Sequence, residues 1–411
     1  PIFLMWFGTI PVLVIGRPEL GKQLMGDKIG NYGKGQGNQS MADLLGGGLV
    51  NLNGEKWARH RRIIKPSFHI DKLKDMVSSM VESITNTLDK WAEVIKKGEN
   101  EVDVSQELKA LTSDIIARTA FGSSYIQGKR IFDMLAQQLF ISIEDNASLM
   151  IPGYRFLPFK RNRESWRIRR EIRSCLKQLI LSRETSGRSS TDGYGNDLLG
   201  NLMSTNQEMQ KTESDPRLTI DEIIEECKTF FFAGEETTSG FLTYVIVLLA
   251  MHPEWQERAR AEIVQLGLIL KEVMRLYPPA PAFLREACKD TELGGISIPT
   301  GTNILFPLLS LNHDTRLWGE DANQFKPQRF SEGISKATKE DSAVFLPFGY
   351  GLRSCIGQAF ATLSSKVVIA MILQRFTFAL SPAYIHAPIS FVNMFAQHGA
   401  HIILHDLQMD G

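Results

Sequence analysis

The spacing of apolar and polar residues changes along the first third of the chain. Residues 1–16 are rich in β-branched and aromatic residues, which predicts a pair of strands. A helix is predicted to begin at Arg17–Leu20, where a proline occupies the second position. Between residues 72 and 145 apolar positions recur with helical spacing, interrupted by short breaks at 98–100 and 121–124. This region is therefore predicted to be helical after the initial strands.

The clearest helical pattern covers residues 219–250. Thr219 and Glu222 have the spacing of a capping box, and the apolar content rises towards three phenylalanines at 230–232. Small, acidic and hydroxyl residues then occupy 233–238. These polar residues interrupt residues 229–250, the stretch that comes nearest to a membrane span, so we expect a buried helix.

Residues 233–238 are also candidates for a functional site. Gly234 lacks a side chain, so a flat ligand or small molecule can come close to the helix. Glu236 and Thr237 place a carboxylate beside a hydroxyl, and a threonine inside a helix can bond back to the backbone. The alternative interpretation is a kinked core helix with a satisfied threonine.

A second candidate site lies at residues 345–361, where Cys355 occupies a loop before an apolar helical pattern running from about residue 356 to 367. A thiolate among apolar residues needs stabilisation, which backbone N–H groups at a helix start and the helix dipole can supply. Arg353 is close enough in sequence to meet an acidic group on a ligand. Three glycines in the segment permit tight turns and close approach to a flat ligand: Gly349, Gly351 and Gly357.

Two further pairs have helical spacing. Trp57 and Arg61 are four residues apart and share a helix face, where their donors can bind carboxylates. Glu272 and Arg275 share another face shortly before two prolines, and a second arginine, Arg329, follows later in the chain. Exposed pairs of this kind are common, so each is weak when taken alone.

Composition excludes several classes of function. The 411 residues contain 46 Lys and Arg and 46 Asp and Glu, so no charge excess indicates nucleic acid. The four cysteines are far apart, with neither CxxC nor CxxxC spacing, which argues against zinc and disulfides and fits a reducing compartment. His313 has no partner with suitable spacing for a metal, so we expect a structural role.

Phe348, Gly349, Gly351, Arg353, Cys355 and Gly357 together resemble the haem-thiolate signature of the cytochromes P450. A structural cysteine in a glycine-rich turn would be the simpler interpretation of Cys355 alone, but the matched positions favour the signature. The resemblance extends in the right order over essentially the whole chain, through the segments that contain Trp57, residues 233–238, Glu272 and Arg329.

This resemblance implies a mainly α fold with a minor β region, a single catalytic domain over residues 1–411, and one haem b (iron protoporphyrin IX). Cys355 would be the axial iron ligand, with Phe348 packed near the sulfur. Glu236 and Thr237 would deliver protons. The remaining roles follow family positions: propionate binding by Trp57, Arg61, Arg285 and Arg353, haem contact by Ala233, Gly234 and Gly357, and a structural network of Glu272, Arg275 and Arg329.

The implied activity is a monooxygenase that activates O2 and hydroxylates an apolar small molecule such as a steroid, terpenoid, fatty acid or hormone. Electrons would come from NADPH–cytochrome P450 reductase, which would dock on a basic proximal surface. Segments such as residues 226–234 and 276–279 look like the plant group that hydroxylates hormones and terpenoids. The implied location is the cytosolic face of the endoplasmic reticulum membrane, through an anchor preceding residue 1.

Two departures and two alternatives accompany the resemblance. Residues 261–271 join two helices that the family separates by a further helix and loop, so we expect residues to be missing around 263–266 unless the chain has lost that piece. Gln328 stands where glutamate is commoner. The two alternative functions are those of a peroxide isomerase or dehydratase and of a haem-binding protein without enzymatic activity. Substrate walls are expected at residues 40–45, 230–233, 280–284 and 392–395.

Overall fold

The structure is a computed structural model that describes residues 2–8, 10–34, 46–122, 125–144, 154–189, 194–210, 217–338, 344–390 and 393–407. Helices predominate, and the strands form small sheets. This confirms the expected mainly α fold with a minor β region. The helices are α1 (Pro18–Met25), α2 (Gly54–Ile64), α3 (Ile70–Asp75), α4 (Val77–Lys96), α5 (Val104–Phe121), α6 (Tyr125–Glu144), α7 (Lys160–Ser189), α8 (Leu198–Gln210), α9 (Ile220–Met251), α10 (Pro253–Ala261), α11 (Ile263–Leu276), α12 (Leu308–Asn312), α13 (Thr315–Trp318), α14 (Ile334–Ala337) and α15 (Gln358–Arg375).

The strands are β1 (Ile2–Phe7), β2 (Ile10–Ile15), β3 (Tyr32–Gly33), β4 (Glu101–Asp103), β5 (Phe283–Ala287), β6 (Thr291–Leu293), β7 (Ile296–Ile298), β8 (Asn303–Phe306), β9 (Phe376–Leu380), β10 (Pro388–Ser390), β11 (Met394–Ala396) and β12 (His401–Asp406). The largest sheet has the order β1-β2-β8-β5-β3, and β1 and β2 form the predicted pair of strands, which is antiparallel. Arg285 lies in β5, where it pairs with Ile304 of β8. A strand with neighbours on both sides therefore fixes its backbone.

Helix α9 runs through the middle of the molecule and packs against α5, α7, α11 and α15. Its start has the predicted capping box, in which Thr219 and Glu222 exchange hydrogen bonds between side chain and backbone. Phe231 of α9 stacks on Phe121 of α5 with ring centroids 4.1 Å apart. The buried side chains along this helix confirm that the stretch 229–250 is a core helix.

The second half of α9 has further anchors. Tyr244 stacks on Tyr277, with ring centroids 4.3 Å apart and an interplanar angle of 2°, and its hydroxyl donates to the carbonyl oxygen of Phe395 at 3.0 Å. Gly240 lies against β11, because a Cβ there would come within 2.4 Å of the carbonyl oxygen of Met394. A larger residue at 240 would push β11 away from the helix.

The first half of α9 is joined to α2. The buried side chains of His60 and Glu226 meet with Nδ1 and Oε1 2.5 Å apart, and Arg59 pairs with Glu222. The segment before α2 also contacts α9, since the N–H of Gly47 donates to Glu225 Oε2 at 2.7 Å. These contacts fix the helix that carries Trp57 and Arg61 against the helix that carries Thr237.

Helices α10 and α11 are separated by one residue, Glu262, and both Ile263 and Val264 are exposed at the start of α11. This is the junction where the sequence predicts missing residues, and that prediction still stands. Within the described residues, no helix combines the length and the apolar character that a membrane crossing requires.

Candidate active site

A cavity of about 370 Å³ lies between the middle of α9, the end of α5 and the loop that carries Cys355. Its walls are mostly apolar. They include Leu49, Val50, Phe68, Ile116, Ala120, Phe230, Phe241, Met274, Ala280 and Phe283. Of the expected substrate walls, Phe230, Ala233, Ala280 and Phe283 contribute to this lining. Residues 393–395 do not line the cavity, and residues 40–45 and 392 lie outside the described part of the chain.

The loop before α15 is closed by one hydrogen bond, from the N–H of Cys355 to the carbonyl oxygen of Phe348 at 2.7 Å. Gly351 has φ +72°, and a Cβ there would lie 2.6 Å from the carbonyl oxygen of Met25. A glycine is therefore required by both the backbone conformation and the close approach of α1. Gly357 has an ordinary φ of −87°, and a Cβ there would lie 3.9 Å from the sulfur of Cys355, an ordinary contact distance, so neither the backbone nor the surrounding protein requires glycine at this position.

The thiol of Cys355 opens into the cavity, which is why the residue is solvent-accessible although protein surrounds its other sides. Burial raises the pKa of this thiol, whereas a hydrogen bond from the N–H of Gly357 and the positive charges of Arg61 and Lys34 act to lower it. Helix α15 begins at Gln358, two residues later than predicted. The backbone donor nevertheless reaches the sulfur as the sequence indicated.

Four cations line the same cavity: Lys34, Arg61, Arg285 and Arg353. Among the described residues none of them forms an ion pair with a carboxylate. Arg353 donates to the carbonyl oxygen of Leu52 and to Asn53 Oδ1, and Arg285 donates to the carbonyl oxygen of Leu284. Burial and repulsion from Arg353 lower the pKa of Arg285 to about 10.

The site therefore fits haem b by its chemistry. A soft sulfur donor suits iron, the walls are apolar, and the unpaired cations match two propionate carboxylates. Lys34 was not identified from the sequence. Burial, and to a smaller extent repulsion from Arg285 and Arg353, lower its pKa to about 7.

Trp57 joins two of these cations. The guanidinium carbon of Arg61 lies 5.6 Å from its ring centroid and that of Arg353 lies 4.5 Å away. Contacts of this kind favour a guanidinium over an aromatic face. The ring therefore aligns one cation from α2 with another from the cysteine loop.

On α9, Ala233, Gly234, Thr237 and Thr238 line the cavity. The Thr237 hydroxyl donates to the carbonyl oxygen of Ala233, as a threonine within a helix can. Gly234 also accommodates Ile116 of α5, whose Cδ1 would lie 2.3 Å from an added Cβ. Glu236 is turned towards α5, where its Oε1 lies 2.6 Å from Lys109 Nζ.

Glu272, Arg275 and Arg329 converge away from the cavity. Glu272 and Arg275 are fully buried, and two bonds of 2.9 and 2.7 Å join them. Arg329 Nε lies 3.6 Å from Glu272 Oε1, and Arg329 Nη1 also pairs with Asp321 Oδ1 at 3.0 Å. Further donors of both arginines reach backbone carbonyls of residues 312–324. His313 bonds Asn323 and the carbonyl oxygen of Leu276, in line with a structural role.

The structure thus places the predicted residues in two groups. One surrounds the cavity: Trp57, Arg61, Ala233, Gly234, Thr237, Arg285, Phe348, Arg353, Cys355 and Gly357. The other is the buried ion network of Glu272, Arg275 and Arg329. Glu236 belongs to neither, because its side chain pairs with Lys109 beside the cavity wall.

A family model described as Cytochrome P450 matches residues 1–398. The rice protein cytochrome P450 734A6 (Oryza sativa subsp. japonica) is 44% identical over 98% of this chain and 79% of its own length. Cytochrome P450 72A397 of Kalopanax septemlobus is 42% identical over 98% and 81%. A solved structure, retinoic acid bound cyanobacterial CYP120A1, matches with a TM-score of 0.83 and 25% identity, covering 99% of this chain and 92% of that chain. The chain belongs to the cytochrome P450 family of haem-thiolate monooxygenases.

Proposed function

We propose that this cytochrome P450 hydroxylates an apolar small molecule of the steroid, terpenoid, fatty acid or hormone type, with electrons from NADPH–cytochrome P450 reductase. One observation supports this above the others. The thiol of Cys355 and the hydroxyl of Thr237 line the same cavity, whose remaining walls are mostly apolar. A substrate bound there would lose water from its apolar surface next to the reacting group.

Cys355 would hold the iron, and Lys34, Arg61, Arg285 and Arg353 would neutralise the propionates. When bound, haem b supplies the oxygen-activating chemistry, and thiolate ligation favours O–O cleavage. The chain itself orients the cofactor and excludes water. Thr237 holds a proton on its hydroxyl at the cavity wall, and Glu236, the preceding residue, supplies protons to it from beside the cavity.

The relatives support a small apolar substrate without naming it. The solved CYP120A1 structure is of that protein with retinoic acid bound. Retinoic acid is an apolar polyene with one carboxylate, and the cavity of the present protein is likewise lined mostly by apolar side chains. Retinoic acid and plant sterols are therefore suitable first probes for binding.

We also propose that the protein is attached to the cytosolic face of the endoplasmic reticulum membrane. Two segments expose large apolar side chains: Phe3, Leu4 and Trp6 of β1, and Phe156, Leu157 and Phe159 before α7. Exposed apolar and aromatic groups of this size suit the boundary between lipid and water. Flotation of the purified chain with phospholipid vesicles, compared with a Trp6→Ser and Phe156→Ser variant, tests this contact.

The reduced, carbon-monoxide-bound difference spectrum tests the haem ligand. Wild type is compared with Cys355→Ala and with Cys288→Ala, which removes another exposed cysteine. We expect the long-wavelength thiolate band in wild type and Cys288→Ala, and its loss in Cys355→Ala. A folded, haem-replete wild type without that band would contradict the proposal.

The second measurement separates a monooxygenase from the two alternatives. Candidate ligands that shift the ferric Soret band are incubated with NADPH, reductase and 18O2. Incorporation of one labelled oxygen atom into product supports hydroxylation. Product formed from a peroxide in the absence of NADPH would indicate an isomerase or dehydratase. A thiolate spectrum in a protein that consumes no NADPH, whichever ligand is bound, would indicate a haem binder without activity.

A further inference from the structure

Two neighbouring acidic residues on α9 share one lysine from α5. Lys109 Nζ lies 2.6 Å from Glu236 Oε1 and 3.7 Å from Glu235 Oε1. The proposed function uses Glu236 and leaves Glu235 without a role. Glu235 is nevertheless held in the same ion-pair cluster and also hydrogen-bonds Ser113 of α5.

Exposure falls from one member of this cluster to the next. The side chain of Lys109 is 42% exposed, that of Glu236 16% and that of Glu235 10%. Water therefore reaches the ammonium group, while the two carboxyl groups lie mostly inside the protein. Thr237, the next residue after Glu236, lines the cavity. The cluster therefore lies beside the proposed site of proton use, with Glu235 as its least exposed member.

The charges of the cluster do not balance when both carboxyl groups are ionised. One ammonium group faces two carboxylates, and like charges at close range in a buried site favour a proton on one of them. Burial and repulsion from Glu236 raise the pKa of Glu235 to about 7, against the opposing effects of Lys109 and Ser113. The charged groups that act on Glu235 among the described residues are Glu236 on its own helix and Lys109 on α5.

We propose that Glu235 is a proton store that reloads Glu236, and that Lys109 is the positioning residue that keeps the two carboxyl groups together. This inference rests on the proposed role of Glu236 in proton delivery. After Glu236 has given its proton towards Thr237, the carboxyl group of Glu235 transfers its proton to the Glu236 carboxylate. Glu235 then takes a proton from water that enters beside Lys109, so no oxidant or further reactant is needed.

The store itself is tested on the resting holoenzyme by infrared spectroscopy, which detects the carbonyl stretch of a protonated carboxyl group. Spectra are recorded between pH 5 and pH 9 for wild type, Glu235→Gln, Glu236→Gln, Lys109→Met and Lys109→Arg. Glu257→Gln and Lys336→Met are matched controls, because both residues have exposed side chains that form ion pairs elsewhere. The carbon-monoxide spectrum of each variant confirms that the cysteine site is intact.

We expect a carboxyl band in wild type that disappears with a midpoint near pH 7 and is absent from Glu235→Gln. Glu236→Gln should shift the midpoint to lower pH because a repelling charge is removed. Lys109→Met should shift it to higher pH, and Lys109→Arg should restore it. A band that survives in Glu235→Gln, or a midpoint that Lys109→Met does not move, would overturn the proposal.

Turnover adds a second readout. In wild type the rate should fall as pH rises through about 7, because the store empties, whereas Glu235→Gln should lose that pH dependence. At pH 6 we expect Glu235→Gln to be slower by about 10- to 100-fold, with an unchanged ligand-induced Soret shift. A Glu235→Gln profile identical to wild type would contradict the reloading role even if the infrared band behaves as expected. Absence of the thiolate band from the wild-type carbon-monoxide spectrum would instead refute the proposed function.

Discussion

The guanidinium carbon of Arg353 lies 4.5 Å from the centre of the Trp57 ring, which brings the cysteine loop into direct contact with α2. Arg61 approaches the same ring at 5.6 Å. Two cations that repel one another are thus held by one aromatic group. The proposed propionate-binding side of the cavity would therefore depend on this stack as well as on charge.

Replacement of Trp57 by leucine should weaken retention of haem, because each guanidinium loses an aromatic partner worth about 1 kcal/mol. The measurement is the rate of haem transfer to apomyoglobin, followed by absorbance. Trp255→Leu is the control, since Arg258 stacks on that ring at 4.8 Å without lining the cavity. Equal haem loss in both variants would show that only global stability had changed.

The Glu235→Gln variant should change how stability depends on pH. In the folded wild-type protein the pKa of Glu235 is raised to about 7. The free energy of unfolding of wild type therefore falls as pH rises from the ordinary glutamate pKa through about 7. The variant should therefore gain stability relative to wild type over that range, by about 1 to 3 kcal/mol at pH 8. Urea unfolding at pH 5, 6, 7 and 8 measures the difference.

Two results would contradict this expectation. One is a constant difference between Glu235→Gln and wild type at every pH. The other is an equal change in Glu257→Gln, whose exposed side chain pairs with Arg260.

Arg275→Lys should be strongly destabilising. Arg275 is fully buried and donates to Glu272 and to three backbone carbonyls, a set that one ammonium group cannot reach. We expect a loss of about 3 to 5 kcal/mol, seen in thermal unfolding and in the yield of soluble protein. Lys336→Met, at an exposed pair with Glu332, should change stability by less than about 1 kcal/mol.

Gly351→Ala should cost more than Gly301→Ala. Both glycines have positive φ, +72° and +80°, but only the first faces a backbone atom, the carbonyl oxygen of Met25 at 2.6 Å. The shared conformational strain is about 1 to 3 kcal/mol, and the clash adds to it. Chemical denaturation compares the two variants, and equal losses would show that α1 moves away freely.

Local signals in the sequence were sufficient for much of the fold. The strand pair at the N-terminus, the capping box of Thr219 and Glu222 and the loop of Cys355 each depend on residues close together in the chain. The spacing of Trp57 and Arg61 likewise fixed a shared helix face. Their role in the cavity came from the family resemblance, since the spacing alone is common.

The missed residues depend on contacts between distant segments. Lys34 follows a two-residue strand, and only the approach of Arg285 and Arg353 makes it part of a cation cluster. Lys109 precedes Glu236 by more than a hundred residues and meets it because α5 packs along α9. The same packing brings Ile116 to the cavity. No periodicity in one segment reports which face of another helix it will meet.

The tyrosine stack described for α9 divides that helix into a stiff half and a compliant half. Beyond Gly240, Tyr244 is held by Tyr277 and by the carbonyl of Phe395, so this end resists displacement. Around Gly234, the helix lacks a side chain and the Thr237 hydroxyl competes for the Ala233 carbonyl, which loosens the backbone ladder. A ligand pressed against α9 would therefore displace the turn around Gly234 more readily than the end beyond Gly240.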